Sequence, residues 1–219
     1  MVKIEEIKRE AKMNFISRES YEVFIKAILA GAMICFGCIV FMSCAEKIVG
    51  ATLFSFGLLT IVCRELWLYT GKIGYLKSIG FCNILITIIG NLVGSFILGG
   101  AIRLTRFGES LQFTANSLSV AKLNDSVFSI FILSIACGIM MYLAVDSYRK
   151  CKSWLFVILP VVVFIMCGFE HSIANMGYFT IAGAWSLKAF GYILIMAIGN
   201  GIGSAIMNVV TYKLPPLKY

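Results

Sequence analysis

Six stretches of the chain carry no charged residue at all: 27–45, 48–63, 78–102, 126–145, 153–169 and 189–212. Most are near the ~20 residues that a helix needs to cross a bilayer. Hydrocarbon offers no hydrogen bonds to exposed backbone, so runs of this kind fold as helices that satisfy their own N–H and C=O groups. The chain, 219 residues long, 60% hydrophobic and 14% charged, is too apolar for an ordinary soluble domain. The runs predict an all-α integral membrane protein with six transmembrane helices in one domain over 21–212.

The first 20 residues are different. Lys3, Glu5, Glu6, Lys8, Arg9, Glu10, Lys12, Arg18 and Glu19 mix both signs, while Ile4, Ile7, Ala11 and Phe15 share one helical face. This reads as an amphipathic surface helix over 1–20 leading into the first span, rather than a cleavable signal peptide. Residues 213–219 form a short tail. With loops assigned to alternate sides, 13 Lys and Arg fall with the two ends and the second and fourth connections, against 5 in the other loops, Arg64 aside. The positive-inside rule then puts both ends in the cytoplasm. The net charge of +8 is mostly topogenic and gives no support to a nucleic-acid partner. The eight cysteines lie in or beside apolar runs, so Cys35 and Cys38 read as packing residues of a helix despite their CxxC spacing. With one histidine, His171, there is no ligand set for haem or zinc, and no cofactor is expected.

Two strings nearly repeat: GNLVGS at 90–95 and GNGIGS at 199–204, in the third and sixth spans. Small residues at this spacing let helices approach closely. Each copy follows a span cut at its middle, by CRELWLYTGK (63–72) and by CGFEHSIANMG (167–177). Both cuts place a cysteine shortly before a glutamate, so Glu65 and Glu170 are read as counterparts, 25 and 29 residues before Gly90 and Gly199. The order whole, broken, whole occurs twice, and three spans per half invert the second copy. A 3+3 inverted repeat over about 21–102 and 122–212, with interrupted segments at matching positions, points to a permeation site near mid-membrane. No proline falls at either break. Glutamates Glu65 and Glu170, with Thr70, Ser172 and Asn175, are expected to hold the exposed backbone there, and Glu65 has Arg64 as a further partner.

These strings resemble the formate/nitrite transporter family. GFEHSIANM (168–176), YLAV (142–145), AGAMICFG (30–37) and GNLVGS carry the likeness, which covers nearly the whole chain. The resemblance implies an aquaporin-like fold, a homopentamer in the plasma membrane with one pore per protomer, and a small monovalent anion such as formate, nitrite or hydrosulfide as the permeant. It implies no enzyme activity. It also implies site residues: His171 at the pore centre, Lys122 in the loop before the fourth span, Phe54, Leu58, Leu66, Phe164 and Met141 at constrictions, and Asn200 in the sixth span. One position departs from the family pattern. Gly138 stands where a pore asparagine is usual, which implies a locally wider passage with one donor fewer, and with it hydrosulfide as the permeant.

The chemistry of such a site follows from charge. An ionisable group at mid-membrane depth is costly and generally marks a pathway. Histidine, titrating ordinarily at about pH 6.5, is able to offer an anion either a hydrogen bond or a proton. Lys122, otherwise a lysine reaching for the membrane surface, would attract the anion, and Phe54 and Phe164 would form an apolar gate. A passive channel and a proton-coupled transporter or exchanger both fit this pattern. A membrane oxidoreductase lacks its clustered ligands, and a water channel lacks an NPA-type motif at either break.

Overall fold

The computed structural model describes the backbone of residues 2–213 and the side chains of residues 18–212. It is all-helical: α1 Val2–Ser43, α2 Lys47–Cys63, α3 Tyr69–Lys72, a 3₁₀ turn Ile73–Tyr75, α4 Leu76–Ile79, α5 Phe81–Arg103, α6 Gly108–Leu123, α7 Val127–Cys151, α8 Leu155–Met166, α9 Ser172–Ala182 and α10 Leu187–Lys213. No turn separates the amphipathic stretch from the first span, because α1 runs through both. The apolar face proposed for residues 4–15 and the tail 214–219 lie outside the described side chains. Four helices, α1 from Arg18 onward, α5, α7 and α10, are long and apolar enough to cross a membrane. The other two apolar helices, α2 and α8, have 17 and 12 residues.

Glycine explains how the long helices pair. A Cβ on Gly94 of α5 would overlap the carbonyl of Ile28 in α1, and one on Gly203 of α10 would overlap the carbonyl of Ile135 in α7. Gly31 meets the backbone of Asn91, and Gly138 that of Asn200, in the same way. The second set repeats the first with a shift of 107 residues on α1 and α7 (Gly31 to Gly138) and 109 on α5 and α10 (Asn91 to Asn200). Without hydrophobic drive between helices in lipid, this backbone approach is what lets van der Waals packing hold the pairs. Gly94→Leu and Gly203→Leu are each expected to abolish monodisperse protein on size-exclusion chromatography in detergent, whereas Gly100→Leu, at a position open around its Cα, leaves the profile unchanged.

The helices α2 and α8 end alike. Leu66 N–H closes on Ile61 O at 2.9 Å, and Phe169 N–H on Phe164 O at 2.9 Å. The chain then turns through a left-handed residue, Glu65 (φ 53°) in the first half and Gly168 (φ 71°) in the second. Next, Trp67 N–H reaches Lys26 O and Glu170 N–H reaches Leu133 O. These bonds fix the correspondence: Glu65 matches Gly168, and the counterpart of Glu170 is Trp67. The expected pairing of the two glutamates is corrected by this register, since what the turn requires is a backbone conformation and not a carboxylate. Glu65 is exposed, and among the described residues its side chain makes neither a hydrogen bond nor an ion pair. Arg64 is exposed as well.

Candidate functional site

The two breaks meet at the centre of the molecule. Thr70 Oγ1, in the first turn after the first break, lies 2.9 Å from His171 Nε2, which ends the second. Both side chains are buried. His171 is also the N-cap of α9, its Nδ1 accepting the N–H of Ala174 at 3.0 Å. A nitrogen that accepts a backbone N–H carries no proton, so the ring is the Nε2–H tautomer and donates to Thr70 Oγ1. Protonating Nδ1 would set two donors against each other and release the cap. The ring is stacked on Phe164 (centroids 5.7 Å), which in turn meets Phe54 edge to face at 5.8 Å. Leu68, the counterpart of His171 in the first half, is buried and apolar. Only one side of this centre therefore carries an imidazole.

Lys122 comes from the last turn of α6 and does not snorkel. Its Nζ lies 2.9 and 2.8 Å from the two carboxylate oxygens of Glu170, with the side chains 15% and 5% exposed. Asn175 Nδ2 donates to the same carboxylate at 2.7 Å. A buried charge of this kind is tolerated only when paired and hydrogen-bonded. Glu170 thus does more than steady the break: it neutralises Lys122 immediately beside His171. Ser172 gives its backbone N–H to the neighbouring helix, while its buried Oγ and the Oδ1 of Asn175 have no partner among the described residues.

Asn200 is a clamp rather than a pore-lining donor. Its Oδ1 accepts Ser172 N–H at 2.9 Å, and its Nδ2 donates to Ser134 O and to Glu170 O, each at 2.8 Å. Asn91 repeats the arrangement, accepting Tyr69 N–H and donating to Ala27 O and Trp67 O, all at 2.8 Å. Asn91 is not among the site residues expected above, although the second letter of each GNxxGS string signals both asparagines. Gly138, expected to widen a passage, serves helix packing instead. A Cβ there would run into the backbone of Asn200, so Gly138 is a contact point between α7 and α10 and leaves no gap in a passage wall.

Phe54, Leu58, Phe164 and Met141 are buried in one continuous apolar cluster, and Leu66 packs against it. Leu66 and Leu68 also line a vestibule of about 460 Å³ that opens beside the first break, between Lys26, Lys72, Tyr75, Tyr148, Arg149 and Lys152. The C-terminal end of α10 lies on this side, where Tyr212 OH donates to Asp146 at 3.0 Å and Asp146 also holds Tyr75. Cys35 and Cys38 are buried free thiols, Cys38 donating to Ala174 O at 3.5 Å and both packing against Gly177.

Known proteins resemble the chain both in sequence and in fold. The family model described as formate/nitrite transporter matches residues 3–214. The formate channel FocA of Escherichia coli (strain K12) is 30% identical over 199 residues, covering 78% of this chain and 69% of that protein. An uncharacterised Bacillus subtilis transporter, YrhG, is 27% identical over 76% of this chain and 71% of its own length. Among solved structures, an FNT family ion channel superposes with a TM-score of 0.81 at 22% identity, over 91% of this chain and 92% of that one. A pentameric formate channel with formate bound gives a TM-score of 0.70 at 25% identity, over 90% and 95%.

Proposed function

Because the chain belongs to the formate/nitrite transporter family, whose members are transporters and channels rather than enzymes, we propose that it is a passive channel for small monovalent weak-acid anions, formate foremost. The observation that carries this reading is the contact between Thr70 Oγ1 and His171 Nε2, a single buried donor held between two helix breaks. An unaided anion faces a Born cost on the order of 20 kcal/mol in a medium as apolar as the Phe54 and Phe164 flank. Its oxygen takes the Nε2–H that Thr70 otherwise accepts, and the positive N-terminal end of α9 faces the same point. The Nδ1 cap keeps His171 a hydrogen-bond donor and not a proton carrier, which favours passive conduction over the coupled alternative. Lys122, compensated by Glu170, supplies a local dipole beside the centre instead of a free positive charge.

The repeated contacts of the two halves support six crossings in a 3+3 inverted arrangement, with α2 plus α3 and α8 plus α9 as the interrupted second and fifth. The solved relative that is pentameric supports a homopentamer with one path per protomer. The positive-inside count supports a plasma-membrane orientation with both ends, and the basic vestibule, in the cytoplasm. Hydrosulfide fits the same class by size and charge, but Gly138, pressed against the backbone of Asn200, gives it no preference over formate. In proteoliposomes, formate and nitrite are expected to enter at rates well above protein-free vesicles, with lactate and sulfate excluded. Formate uptake equal to that of empty vesicles would reject the assignment.

A further inference from the structure

The vestibule carries more charge than a monovalent permeant uses. Among the described residues, Lys26, Lys72, Arg149 and Lys152 line it against a single acid, Glu65, leaving three positive charges in excess around about 460 Å³. None of the four cations is in a salt bridge among the described residues. Three are steadied by aromatic rings instead: Lys72 over Trp67 at 4.9 Å, Arg149 over Tyr75 at 4.7 Å and Lys152 over Tyr148 at 5.6 Å. A cation over a ring keeps its outward N–H groups free for a ligand. Formate, with three heavy atoms, fills a small fraction of this space and engages one or two of the donors. A concave, donor-rich wall with one acceptor carboxylate matches a larger anion with several charged oxygens, which arginine meets in a bidentate fork and lysine as a point charge.

We propose that the vestibule is a binding site for small multivalent oxyanions, phosphate- or carboxylate-bearing, and that an occupant closes the path from that face. The blocking role rests on the channel reading above; the binding does not. Calorimetric titration of the detergent-solubilised full-length protein at constant ionic strength tests the binding directly, with pyrophosphate and citrate as separate probes that distinguish the two sources of charge. Saturable binding of at least one probe is expected, weakened at least about tenfold in Arg149→Gln/Lys152→Gln. Both residues are exposed, so the variant is expected to fold, and an unchanged size-exclusion profile checks this. In planar bilayers the probe that binds is expected to suppress formate current from one face only, and the double variant to relieve it. Absence of binding at millimolar probe, or equal affinity in the variant, overturns the site. Binding that leaves formate current intact from both faces overturns the blocking role. A protein that binds the probe yet conducts no formate refutes the channel reading while leaving the site standing.

Discussion

Asn200→Leu is expected to lower the melting temperature of the detergent-solubilised protein by about 10 °C or more. The substitution is nearly isosteric, so little packing is lost, but it strands Ser172 N–H and Glu170 O away from water, while Ser134 O loses a second bond and keeps its partner within α7. Each buried orphan costs about 1–3 kcal/mol, and two act together. Asn91→Leu strands Tyr69 N–H and Trp67 O, leaves Ala27 O with its partner within α1, and is expected to do equal damage. Asn208→Leu is the control, because among the described residues that amide makes one hydrogen bond, 3.1 Å to the Tyr142 hydroxyl. Should Asn200→Leu melt within about 2 °C of the parent, the asparagines do not hold the breaks, and the position of His171 needs another explanation.

His171→Asn is expected to reduce formate flux by about 10–100-fold with the protein still folded. A hydrogen bond to a charged group is worth about 1.5–3 kcal/mol, and 1.4 kcal/mol is tenfold. Asparagine is among the best N-caps, so α9 keeps its start while the donor at Nε2 retreats. Thr70→Val removes only the resting partner of that donor and is expected to change flux far less. Equal losses in the two variants would mean that their contact matters for shape and not for the permeant. These measurements are made on formate uptake into proteoliposomes at matched protein density.

Much of the scaffold is written in short strings. The uncharged runs mark the apolar helices, and the two GNxxGS copies mark where α5 and α10 touch α1 and α7. Both breaks are foreshadowed by charged or polar residues inside otherwise apolar spans. The register between the halves is less visible, because the turn ending α2 is built on Glu65 and the turn ending α8 on Gly168, two residues with nothing in common except a left-handed backbone. A carboxylate in each string suggested a pairing that hydrogen bonds assign to Trp67 and Glu170 instead. Contacts across the chain are the hardest to foresee: Thr70 and His171 are 101 residues apart, and Lys122 finds Glu170 across 48. Gly138 shows the limit of reading a single letter against a family pattern, since its significance lies in the backbone of Asn200 that presses on it.

In the proposed channel the anion moves down its own gradient past a histidine that lends a hydrogen bond and keeps its proton. Reversal potentials of formate currents in planar bilayers test it most directly, with the formate gradient fixed and the pH of one chamber varied. A reversal potential that follows the formate gradient and stays put as pH changes is the predicted result. A reversal potential that moves with the pH gradient would contradict it and make His171 part of a proton-coupled transporter.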